Sequence, residues 1–148
     1  MVVGLGGCAG LSDAPPIVGE PCVTADEADP LFSGFSLNEV NLETRGSCGE
    51  RAVCLGYQFQ GRASCPEGQA DATSGACLTL AGDPVVVAVA PQLESRPAEL
   101  AVVCSCRCDG PQPNVEYCEC PSGMRCEQLV APGAFRETED LSGSYCVY

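Results

Sequence analysis

The 148-residue chain has no histidine, no lysine and no tryptophan. Without histidine it lacks the side chain most often used as a general base near neutral pH. Neither a Ser-His-Asp nor a Cys-His arrangement can be assembled. Without lysine there is no Schiff-base amine and no phosphate-loop lysine. The basic groups are seven arginines, Arg45, Arg51, Arg62, Arg96, Arg107, Arg125 and Arg136, against 20 acidic residues, for a net charge of −13. Such a chain repels nucleic-acid phosphates and anionic membrane surfaces, so a nucleic-acid partner is ruled out. The acidity itself reads as a solubilising surface. With only four Tyr and four Phe, the aromatic platforms that sugars favour are scarce, and the carboxylates mark no glycosidase cleft. The expectation is a protein that is not an enzyme and carries no cofactor.

Long apolar runs and helical stripes are also missing. The most apolar stretch, Pro84 to Pro91, is far too short to span a bilayer. Gly and Pro interrupt every helical window, leaving only a short helical turn at Ala25 to Leu31. Strand patterns are clearer. Glu39 to Thr44 alternates, with Val40 and Leu42 on one face. Arg51 to Gln60 starts like a strand and ends in an alternating Tyr57/Phe59 tail. Val85 to Val89 is a β-branched run, expected to pair antiparallel with Leu100 to Cys108 through the connection Gln92 to Glu99. The expected core is Leu80, Val85, Val87, Val89, Leu100 and Val102.

What is abundant is cysteine, 13 in all. That density marks a disulfide scaffold of an extracytoplasmic protein. Three regions follow residue 21. Residues 22–77 hold Cys22, Cys48, Cys54, Cys65 and Cys77; residues 78–103 hold none; residues 104–148 hold Cys104, Cys106, Cys108, Cys118, Cys120, Cys126 and Cys146. Five and seven are both odd, so complete pairing needs at least one bridge between the outer regions. That argues for one interlocked domain over 22–148. The fold class expected is small, disulfide-rich and mainly β with long loops and little helix, its short antiparallel strands cross-linked by about six disulfides.

Cys104, Cys106 and Cys108 alternate, and Cys118 and Cys120 repeat the spacing. Such C-x-C pairs resemble those of metallothioneins, which implies Zn²⁺ or Cu⁺ held by thiolates. The resemblance ends there, because those proteins lack apolar strands. No C-x-x-C occurs, so zinc-ribbon, ferredoxin and thioredoxin spacings are absent. Disulfides between each cysteine and a different distant partner are the favoured reading, with no metal. Cys118 to Cys126 (CECPSGMRC) resembles the tail of an EGF-like module over nine residues, with Gly123 suited to a positive-φ turn.

Near the start, Leu5-Gly6-Gly7-Cys8 resembles the lipobox of bacterial lipoproteins, an aliphatic residue and two small ones before the acylated Cys. The resemblance implies lipidation of Cys8 and anchoring in the envelope of a Gram-negative-type bacterium. Ala9 rather than Asp after Cys8 implies the outer membrane, with secretion the alternative. Residues 9–20 are rich in Pro, Gly and small residues, as a tether is, so 1–21 reads as signal remnant and tether. Only seven residues precede Cys8 and none is basic, where a full leader has a positive start and a longer apolar stretch. A start farther upstream, a truncated leader or a chance match would each account for that. Removing Cys8 leaves 12 cysteines, an even set.

Two acidic groups, Asp26, Glu27 and Asp29, and Glu137, Glu139 and Asp140, lack the spacing of a Ca²⁺ loop and read as solvated. The expected function is a lipid-anchored structural, adhesive or binding module with a protein partner, docking through Ala25 to Phe35, Asp109 to Tyr117 or Val130 to Gly143. The rivals are a metal-thiolate protein and a disulfide-rich hydrolase inhibitor that uses Asp109 to Tyr117, stiffened by Pro111 and Pro113.

Overall fold

The computed structural model describes residues 12–13, 17–44, 46–133 and 140–148. The described residues form eight short strands: β1 Ser12–Asp13, β2 Val40–Glu43, β3 Val53–Tyr57, β4 Val102–Ser105, β5 Arg107–Asp109, β6 Cys118–Glu119, β7 Arg125–Val130 and β8 Gly143–Val147. Among the described residues, helix is confined to a 3-10 turn, Ala25–Ala28, and one α-turn, α1 Ala98–Ala101. The strands make two antiparallel three-stranded sheets, β2-β3-β4 and β5-β8-β7, and a two-residue parallel pair, β1-β6. The protein is therefore mainly β, disulfide-rich and short of helix, as expected. No helix among the described residues is long and apolar enough to cross a membrane.

The alternation in β2 has the anticipated consequence. Val40 and Leu42 pack with Leu55 and Tyr57 of β3 against Val130, Tyr145 and Val147 of the second sheet. The opposite side of the first sheet covers a larger cluster that includes Phe35, Phe59, Val102 and several cystines. The Tyr57/Phe59 alternation breaks at Gln58, the one non-glycine residue at positive φ among the described residues (φ 50°). That reversal ends β3 and sends Tyr57 to the inter-sheet core and Phe59 to the other cluster. Phe35 bridges Gly61 just beyond, a close approach that needs Gly34 (φ +104°), where a Cβ would stand 2.6 Å from the Gly61 carbonyl carbon.

Val85 to Val89 is not a strand, and it does not pair with the 100–108 segment; β3 pairs with β4 instead. The hydrogen bonds of the valine run go elsewhere. Val85 N–H donates to Cys77 O, Val86 N–H to Pro30 O, and Val89 exchanges both bonds with Gln69. The buried Gln69 side chain also donates to Val85 O and Val87 O, satisfying the carbonyls a sheet partner would have taken. Val85 and Val89 remain buried, in a small cluster with Cys65 and Cys77, and Val87 packs against them. The expected core is wrong at two positions: Leu80 is 66% exposed and Leu100, carried on α1, is 42% exposed.

Candidate binding cleft

Twelve cysteines form six pairs: Cys22–Cys54, Cys48–Cys104, Cys65–Cys77, Cys106–Cys118, Cys108–Cys126 and Cys120–Cys146. Cys48–Cys104 alone joins the two odd-numbered outer regions, which is the bridge that parity demanded. Each C-x-C neighbour goes to a different distant partner, as the disulfide reading requires. Gly123 takes its positive φ (+92°) in the intervening turn. Six bridges are the chemistry of an oxidising, extracytoplasmic compartment. Cys8 lies outside the described residues.

A cleft of about 360 Å³ lies between the β2–β3 connection and the Asp109 to Tyr117 loop. That volume lies within the range of small-ligand and side-chain pockets, roughly 300–1,000 Å³. Its floor is the Cys106–Cys118 bridge with Ala52, Val53 and Tyr145; Val115 and Leu141 form apolar walls. Charges of both signs ring it. Arg51 pairs with Glu116 at 3.0 Å, an exposed bridge, while Glu50 and Arg107 complete the rim. Arg107 lies over the Tyr145 ring at 5.8 Å and donates to Gln112 Oε1 and to Asp140 O. Burial pushes the Tyr145 phenol up, with Arg107 acting in the opposite sense. Its hydroxyl donates to Leu141 O.

One wall is braced from outside. Gln112 Nε2 donates to Asp140 Oδ2 and Ser142 Oγ, and Tyr117 Oη donates to Gln112 O and accepts from Gln112 N–H. The Asp140 carboxyl is held at about 2 by the Ser142 hydroxyl first, then the Gln112 amide and the Ser142 N–H. A carboxyl depressed in the folded state contributes order fully above its free value, near 3.9, and loses it as pH falls toward the folded value. The expected outcome is an NMR titration in which the Ser142 amide and Gln112 side-chain resonances shift together with a midpoint of about 2. In Ser142→Ala that midpoint should rise; an unchanged midpoint would remove Ser142 as the cause.

The other acidic group is not uniformly solvated, contrary to the sequence expectation. Glu27 is fully buried, and its carboxylate takes Arg62, the Ala63 N–H and the Ser64 hydroxyl, while Asp29 Oδ1 accepts the Leu31 N–H. Arg62 meanwhile donates to the carbonyls of Asp29 and Phe32. The loop Ala25 to Phe35 is thus tied down from beneath rather than lightly held. Glu137 and Glu139 lie outside the described residues. Clusters of potential metal ligands among the described residues consist of cysteine sulfurs alone, and all of these are paired.

Of the three loops singled out in the sequence, Asp109 to Tyr117 lines the cleft through Val115 and Glu116, and Val130 to Gly143 reaches it through Leu141. Arg51, Arg107, Val53 and Tyr145 were not anticipated. The available signal was scarcity: with seven arginines in the chain, two on one rim is a concentration. No family model, no curated protein and no solved structure matches this chain.

Proposed function

We propose that this protein is a non-catalytic module of a bacterial envelope, anchored by lipid at Cys8, that captures a protein partner in the cleft beside the Asp109 to Tyr117 loop. One observation carries the reading: twelve of the thirteen cysteines in this sequence pair among themselves, which leaves Cys8, in a lipobox-like setting, outside the six bridges. The tether expected over residues 9–20 is largely part of the fold, since Ser12 and Asp13 pair with β6, Val18 is buried in the core and Glu20 O accepts the Cys104 N–H, so an anchor at Cys8 would seat the stapled domain close to the bilayer. The cleft's apolar floor suits an anchor side chain, and its mixed rim suits flanking charges.

The test uses the full chain in an acylating bacterial host, with a photocrosslinker at Val115. Acyl mass at Cys8, partition into detergent and a single Val115-dependent adduct lost in Arg51→Glu are the expected results. A soluble, unacylated product with the residues upstream of Cys8 intact overturns the anchor; absence of a Val115 adduct overturns the cleft. The hydrolase-inhibitor reading draws on the internal bracing of the same loop, and an adduct with a hydrolase would select it.

A further inference from the structure

Three bridges lie in contact from the surface to the cleft floor. Cys126 is exposed and Cys108 half-buried. The sulfurs of Cys108, Cys120 and Cys146 lie within 4.8 Å of one another. Cys146, fully buried, places its Sγ 3.8 Å from the sulfurs of both Cys106 and Cys118, the bridge that floors the cleft. The first-sheet bridges differ. Cys22, Cys48 and Cys54 also have their sulfurs within 4.8 Å, but Cys22, Cys54, Cys48 and Cys104 are all buried, so an external thiol has no exposed sulfur to attack. Cys65–Cys77 sits in a separate apolar cluster.

We propose that Cys108–Cys126, Cys120–Cys146 and Cys106–Cys118 form a thiol–disulfide exchange relay, through which a dithiol acting at Cys126 delivers two electrons to the cleft floor. The reductant is any small-molecule or protein dithiol, R(SH)₂. Its first thiolate attacks Cys126 Sγ, making a mixed disulfide and releasing the Cys108 thiolate. Cys108 attacks Cys120, forming Cys108–Cys120 and releasing Cys146. Cys146 attacks Cys118, forming Cys118–Cys146 and releasing Cys106; attack on Cys106 instead releases Cys118. The second thiol of the reductant then resolves the mixed disulfide, freeing Cys126 and leaving as the cyclic disulfide. Three bridges and one dithiol become two bridges, one oxidised reductant and two thiols. One thiol is at the surface and the other is under the cleft. Each internal step replaces one S–S bond by another, so no further oxidant or reductant is needed. Burial disfavours the inner thiolates, so the relay runs faster as pH rises. No C-x-x-C is involved, which sets it apart from thioredoxin-type chemistry.

The test treats the full-length protein with one equivalent of dithiothreitol at mildly alkaline pH, quenches with acid, alkylates and maps bridges by mass spectrometry without reduction. Any label on Cys8 is scored separately. The relay predicts label on Cys126 and on Cys106 or Cys118, with new Cys108–Cys120 and Cys146-linked peptides. Label on both Cys108 and Cys126 with the other bridges native, or first label at Cys65 and Cys77, overturns it. Removing the entrance with Cys108→Ala and Cys126→Ala should slow labelling of Cys106 and Cys118 by about tenfold or more. An equal rate in that variant overturns the relay. The unmodified protein's bridge map decides the matter even if the variant does not fold.

Discussion

Arg62→Ala is expected to lower the free energy of unfolding by about 3–5 kcal/mol, the range for breaking a buried ion pair by removing one partner. Arg62 and Glu27 both have fully buried side chains, with Nε 3.3 Å from Oε2. The guanidinium also donates to the carbonyls of Asp29 (2.9 Å) and Phe32 (2.8 Å) and to that of Glu27 itself, and it lies 5.4 Å over the Phe32 ring. Its loss leaves the buried Glu27 carboxylate without a counter-charge and takes the side-chain donor from the Glu27 and Phe32 carbonyls, while Asp29 O keeps the Phe32 N–H. Lys in its place should recover little, because one ammonium cannot reach this spread of acceptors as a planar fork does. Arg62→Met with Glu27→Leu should recover part of the loss by removing both charges, but not all of it, since the Glu27 and Phe32 carbonyls lose the Arg62 donor and the Ala63 N–H loses its carboxylate acceptor. Denaturant unfolding measures all three; a loss below about 1 kcal/mol in Arg62→Ala would show that water reaches the site and that the pair does not hold the loop.

That interaction was invisible in the sequence, whereas much of the scaffold was legible there. Glu27 and Arg62 are 35 positions apart, and nothing local marks them as partners. The acidic triplet Asp26, Glu27 and Asp29 looked uniformly solvated because composition cannot tell which carboxylate a turn will bury. By contrast, the alternation of Val40 and Leu42 reports the β pleat directly, and the odd cysteine counts report a topological necessity. Val85 to Val89 misled for a physical reason. A β-branched run specifies burial, but it does not specify who bonds its backbone, and here one distant glutamine, Gln69, does what a neighbouring strand was expected to do. The cleft was half legible. The Asp109 to Tyr117 loop stood out by length and proline content, while the opposite rim comes from the β2–β3 connection, brought there by register and by Cys48–Cys104.

Replacing Cys48 and Cys104 together with Ala is expected to be the most damaging bridge removal. The two are separated by 56 residues, against 12 for Cys65 and Cys77. Chain-entropy arithmetic for those loops gives about 4 kcal/mol for the first and about 3 kcal/mol for the second. Cys65–Cys77 closes inside the longer loop and Cys22–Cys54 overlaps it, so the entropic gap between the two variants is narrower than this. Position widens it again. Cys104 sits opposite Cys54 in the β3–β4 register, and Cys54 is bridged to Cys22, so both bridges clamp outlying segments onto the same pair of strands. Without Cys48–Cys104 no covalent cross-link joins the residues before 78 to those after 103. The three remaining C-terminal bridges would still hold β5, β7 and β8, so that sheet should unfold as its own unit. Denaturant unfolding should then show two transitions, or a reduced m-value, where the Cys65/Cys77 variant shows one. A larger loss in the Cys65/Cys77 variant would instead place the stability in the Val85 and Val89 cluster, and the interlocked frame would be secondary.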